Sequence, residues 1–80
     1  MAKQASKSFI TWLKSEMDKR DWGITVTARK AGLSHPVISD ILNLQVQPTF
    51  ETCVALANAF GVQPDEVMRM ANLLPGTDVD

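Results

Sequence analysis

The side chains able to do chemistry are few, and most of them gather in one stretch. Ser34, His35, Ser39, Asp40 and Asn43 fall within AGLSHPVISDILN. They donate and accept hydrogen bonds, but they do not make a catalytic set. Ser34 and His35 are adjacent in sequence, which does not make a nucleophile–base pair. The chain has no paired acids, no phosphate-binding glycine loop and no metal-ligand spacing. His35 is the one histidine, and the one cysteine, Cys53, lies on an apolar stripe. A zinc site and an internal disulfide are therefore not expected. The sequence argues against an enzyme and calls for no cofactor; what remains is recognition.

The elements that must position these residues are short. Ile24 to Asn43 reads as two helices joined by a tight turn. Thr25 to Ala31 is the first; Thr25 or Ile24 begins it, and Thr25 is the better cap. Gly32-Leu33-Ser34 is the turn. His35 to Leu42 is the second, capped by Ser34, with Pro36 in the first turn where a missing N–H costs nothing. Ala28 and Ala31 turn inward on the first helix, and Ile38, Ile41 and Leu42 on the second. His35, Pro36, Val37, Ser39, Asp40 and Asn43 are left facing out. So short a helix is not stable alone, so its neighbours must hold it.

Those neighbours are legible too. Residues 1–7 are small and polar and read as a flexible arm carrying Lys3 and Lys7. Ser8 is the expected cap of a first helix on which Phe9, Leu13 and Met17 recur at i, i+4 and i+8. Ile10 and Trp12 widen its stripe, and it ends near Asp21, with Gly23 expected in a left-handed conformation. Leu44 to Pro48 is a loop, since Pro48 disfavours helix at Gln47. Thr49 caps a fourth helix whose stripe is Phe50, Cys53, Val54, Leu56, Ala57 and Phe60, with Gly61 ending it. Pro64-Asp65-Glu66 opens a fifth, running through Val67, Met68, Met70, Ala71, Leu73 and Leu74. Residues 76–80 form an acidic tail, which leaves one all-α domain over 8–75. No alternating strand pattern and no internal repeat is present.

Composition agrees: 45% apolar and 21% charged residues describe an ordinary globular domain. The chain has neither a membrane span nor the apolar run of a signal peptide, so the cytoplasm is the expected compartment. Net charge is −1, but it is polarised. Residues 1–47 hold seven basic and four acidic side chains, and residues 48–80 hold one basic and five acidic. The basic half contains the two-helix unit.

Thr27-Ala28-x-x-Ala31-Gly32-Leu33-Ser34-x-x-x-Ile38-Ser39-x-Ile41-Leu42-Asn43 resembles the helix-turn-helix of the Cro/phage-repressor, or XRE, family. Pro48-Thr49-Phe50-Glu51-Thr52, Leu56-Ala57-x-Ala59-Phe60-Gly61-Val62 and Pro64-Asp65-Glu66-Val67 resemble the family's fourth helix and the start of its fifth. The resemblance implies a five-helix lambda-repressor-like domain that binds double-stranded DNA as a transcriptional regulator, with helix 35–42 in the major groove. It places base readout on His35, Pro36, Val37, Ser39 and Asp40. Backbone contacts fall on Thr25, Thr27, Arg29, Lys30, Ser34 and Asn43. It also implies a homodimer through Met68, Met70, Leu73 and Leu74 of the last helix. Two positions depart from the family pattern. Ile24 stands where a phosphate-binding glutamine is common, and Leu44-Gln45-Val46-Gln47 replaces a glycine followed by a basic residue. Both remove electrostatic affinity. A protein-interaction module on the same fold, such as an antitoxin-like partner, is the rival reading.

Overall fold

The computed structural model describes residues 5–72. Among the described residues are five α-helices and no strand: α1 Lys7–Arg20, α2 Ile24–Ala31, α3 His35–Leu44, α4 Phe50–Phe60 and α5 Pro64–Met70. None is long and apolar enough to cross a membrane.

The cap of α1 is Ser6, not Ser8. The Ser6 hydroxyl accepts from the Phe9 N–H at 3.1 Å and donates to the Met70 carbonyl. One side chain thus starts the first helix and closes the last. Ala5 is buried, and its N–H donates to the Gln45 carbonyl at 2.8 Å. Residues 5–7 therefore belong to the domain rather than to an arm; Lys3 lies outside the described residues. At the other end of α1, Asp21 takes the left-handed conformation (φ 57°) expected of Gly23. Gly23 is instead the extended N-cap of α2, so the helix begins at Ile24 and Thr25 lies inside it rather than capping it.

The core draws on four helices at once. Phe9 and Leu13 of α1, Ile38 of α3, Cys53 and Leu56 of α4 and Val67 of α5 are all fully buried. Helix α4 packs on α2 and α5, α2 packs on α3, and α1 closes over α3 and α5. Thr49 caps α4 as its position implies, accepting from the Thr52 N–H at 3.1 Å. Helix α5 ends at Met70, short of the expected Leu74, and Asn72 turns left-handed. Its late carbonyls are not left without partners: Ser6 takes that of Met70 and the Gln47 side chain that of Ala71, at 2.9 Å.

An aromatic corner joins the end of α1 to the end of α4. Trp12 meets Phe60 edge-on at 5.4 Å, and Trp22 stacks on Phe60 at 5.5 Å. The Arg20 guanidinium lies 4.8 Å from the Phe60 ring centre and donates to the Phe60 carbonyl at 3.0 Å. Glu16, itself only 8% exposed, holds Arg20 at 2.6 Å and Lys19 at 3.0 Å. Burial acts to raise the Glu16 carboxyl, but the hydrogen bonds from Arg20 and Lys19 outweigh it and hold the group below its ordinary value.

A carboxylate lowered in this way stabilises the fold above its unfolded pKa, and that stability is lost as pH falls through the lowered folded value. Glu16→Gln is expected to cost up to about 1.5–3 kcal/mol at neutral pH, the range for hydrogen bonds to a charged group. It should also flatten the acid limb of the stability profile, as read by denaturant melts across pH.

Candidate nucleic-acid interface

Helix α3 is held from one side. Ile38 is fully buried and Ile41 is 2% exposed, so the inner face is fixed in the core beside residues of α1 and α4. At the entry, Gly32 adopts φ 71°, which a Cβ would penalise, and the Leu33 N–H returns to the Ala28 carbonyl at 2.8 Å. That turn redirects the chain within three residues. Ala28 is buried where α2 meets α3, as its small size suggests.

The outer face divides the expected readout residues. His35, Pro36 and Asp40 are exposed. Ser39 is half-buried, and its hydroxyl accepts from the Asn43 amide one turn on, at 3.1 Å. Val37 is also half-buried. It leans on the core and lines a small pocket of about 190 Å³ with Asp40, Val46 and Pro48. Part of Val37 is therefore turned to the core and is not free for contact.

Of the residues expected at the DNA backbone, Thr25, Arg29, Lys30, Ser34 and Asn43 are exposed. Thr27 is a correction: it is fully buried, with its hydroxyl unpartnered inside the fold, so it cannot reach a phosphate. It sits beside Ala28 on the inner side of α2, and these two are the buried residues of that helix. Ser34 is the N-cap of α3 by backbone conformation, but its hydroxyl makes no capping hydrogen bond.

The helix ends show a pattern of charge. Helices α4 and α5 carry Glu51 and Asp65/Glu66 in their first turns, which compensates their positive ends. Helices α1, α2 and α3 carry no acid there. Their starts remain electropositive, and backbone N–H groups at such ends bind anions.

Three features were not foreseen from sequence. Helix α3 runs on to Leu44, and Gln45 caps it in the left-handed conformation (φ 55°) where a glycine would be unstrained. Gln47 is not an unused loop residue, because its amide holds the end of α5. Phe50, on the expected core stripe, is 61% exposed. It stands in the first turn of α4, where side chains lean toward the N-terminus and beyond the core. The signal for Gln45 and Gln47 lies only in tertiary hydrogen bonds.

Other expected residues resolve differently. Met68 is 4% exposed and packs in the core, so it is not available to a dimer interface. Met70 is half-buried, and Leu73 and Leu74 lie outside the described residues. Cys53 is inert as well as lone: burial pushes its thiol up to about 11.

A short helix fixed in the core by one face, joined through a tight glycine turn to the helix before it, defines a helix-turn-helix domain. A helix-turn-helix family model matches residues 13–67, more than half of the chain. The chain belongs to this family, the Cro/C1-type or XRE helix-turn-helix proteins, and its five helices have the lambda-repressor-like arrangement. The family is a DNA-binding one rather than an enzymatic one. No curated protein and no solved structure matches the chain.

The strain at Gln45 is measurable. A non-glycine residue in the left-handed region costs about 1–2 kcal/mol, partly offset by the extra unfolded-state freedom of glycine. Gln45→Gly is therefore expected to stabilise the domain by about 0.5–1 kcal/mol, a rise in Tm of roughly 2–8 °C for a domain of this size.

Proposed function

We propose that the protein is a sequence-specific, double-stranded DNA-binding transcriptional regulator, with α3 entering the major groove. The observation that carries this reading is the outer face of α3. It stays open to solvent and polar, while Ile38 and Ile41 fix its inner face. Ten residues give a rod about 15 Å long, which suits a major groove about 12 Å wide.

The residues divide by chemistry. His35, with two ring nitrogens, hydrogen-bonds to purine edges. Asp40 accepts from a cytosine amino group, and the exposed part of Val37 meets a thymine methyl. Pro36 shapes the first turn, and Ser39 and Asn43 act as a joined pair across one turn. Thr25 and Ser34 stand at the uncompensated starts of α2 and α3, where phosphates are attracted, with Arg29 and Lys30 as flanking cations. A homodimer would offer two copies of α3 to half-sites about 34 Å apart. Such a protein needs no cofactor, performs no catalysis and works in the cytoplasm.

A second reading, a protein-interaction module on the same fold, is favoured by one observation. Leu44, Val46 and Phe50 are 67%, 45% and 61% exposed, an apolar series that phosphate contact does not require.

Fluorescence anisotropy on a random duplex pool separates the two readings. Binding at about 50 mM salt that weakens roughly a hundredfold by 200 mM is expected for about four phosphate contacts. Selection from the same pool with His35→Ala and Asp40→Ala should relax preference at single base positions by about 1–3 kcal/mol each. No binding at low salt would favour the interaction module.

A further inference from the structure

The pocket beside α3 has apolar walls. Val37 and Ile41, one turn apart on α3, form one side, and Val46 and Pro48 of the following loop form the other. The loop folds back onto α3 because the Val46 N–H donates to the Asp40 carbonyl at 3.3 Å. That bond brings Val46, still 45% exposed, next to Asp40. The volume, about 190 Å³, is several times the ~30 Å³ that one water takes in the liquid, so a methyl group and the ring edge carrying it fit.

Most of the polar lining is already engaged. The Thr49 hydroxyl accepts from the Thr52 N–H and donates to the Thr52 hydroxyl at 2.9 Å. The Gln47 amide donates to the Ala71 carbonyl. Asp40 differs: it is exposed, and among the described residues its carboxylate has no hydrogen-bond or ion-pair partner. An ionised carboxylate only accepts. The pocket therefore calls for a ligand with an apolar group beside a hydrogen-bond donor.

The major-groove edges of the ordinary bases do not combine these two groups. Cytosine offers the N4 amino donor without a methyl. Thymine offers a methyl beside the O4 acceptor, which a carboxylate repels, and adenine offers its N6 donor beside the N7 acceptor. A cytosine methylated at C5 carries methyl and donor side by side. We infer that this pocket reads 5-methylcytosine in duplex DNA: the methyl enters between Val37 and Val46, and Asp40 accepts from N4. Val46 is then a specificity-determining residue, and the uncharged loop after α3 contributes to base reading rather than to phosphate contact. The inference rests on α3 meeting DNA and deepens that reading.

Two selections at about 50 mM salt supply the ligands, one from a random duplex pool and one from the same pool made with 5-methylcytosine throughout. The best binder is remade with cytosine, 5-methylcytosine or thymine at each cytosine position in turn, with the matching partner base, and titrated by fluorescence anisotropy. At one position the methyl should tighten binding about fourfold, the worth of one buried methyl, and thymine should bind more weakly than cytosine. Val46→Ala, at an exposed site checked for retained fold by circular dichroism, should bring the ratio of 5-methylcytosine to cytosine affinity there toward one. Asp40→Asn, whose amide donates to O4, should turn the preference at that position to thymine. Equal binding of cytosine and 5-methylcytosine at every position overturns the inference and leaves the DNA-binding reading standing. So does a methyl effect that both substitutions leave unchanged. No duplex bound from either pool overturns both.

Discussion

The structure depends on one constraint: α3 cannot support itself. A ten-residue helix gains too little from its own hydrogen bonds to persist in water. Its position comes from burying Ile38 and Ile41 in a core shared with Phe9, Leu13, Leu56 and Val67. The other helices serve that burial. Helix α2 packs on α3 with Ala28 buried, α4 backs α2, and α1 closes over α3 and α5. A surface that must read another molecule needs this fixed footing, because a side chain displaced by an ångström loses its hydrogen-bond geometry.

The ends of the chain segments are tied with equal economy. Ser6 caps α1 and meets the end of α5, Gln47 meets the next carbonyl, and Gln45 both ends α3 and receives the Ala5 N–H. The loop after α3 lacks the glycine and cation common at that place in the family. Its two glutamines instead serve the fold, one through its backbone carbonyl and one through its side-chain amide. The starts of α1, α2 and α3 carry no acid in the first turn, while those of α4 and α5 do.

Much of the fold was legible in sequence, for identifiable reasons. Heptad-like spacing of Phe9, Leu13 and Met17 marks α1, Gly32 and Gly61 mark helix ends, and Thr49 and Pro64 mark helix starts. These are local signals, and each sits where its chemistry requires. The misreadings arose where a tertiary contact decides. Ser6 outcompetes Ser8 as a cap because it also reaches Met70. Asp21 adopts the left-handed turn while Gly23 begins the next helix. Thr27 is hidden although its type suggests a surface contact, and Phe50 is exposed although its spacing suggests the core. Met68, expected at a dimer interface, fills the domain's own interior. Of the site, the outer face of α3 was readable. The division of Val37 and Gln47 between site and scaffold was not, because it depends on where the loop folds back.

On the proposed function, the free face of α3, fixed by Ile38 and Ile41, is the surface that meets DNA. Backbone amide chemical shifts followed by NMR during titration with a duplex pool at low salt test it most directly. The account predicts that the largest shifts fall on His35, Pro36-flanking Val37, Ser39, Asp40 and Asn43, with smaller ones at Thr25 and Ser34, and that all reverse when salt is raised. Shifts confined to α4 and α5, with α3 unmoved at saturating duplex, would contradict it.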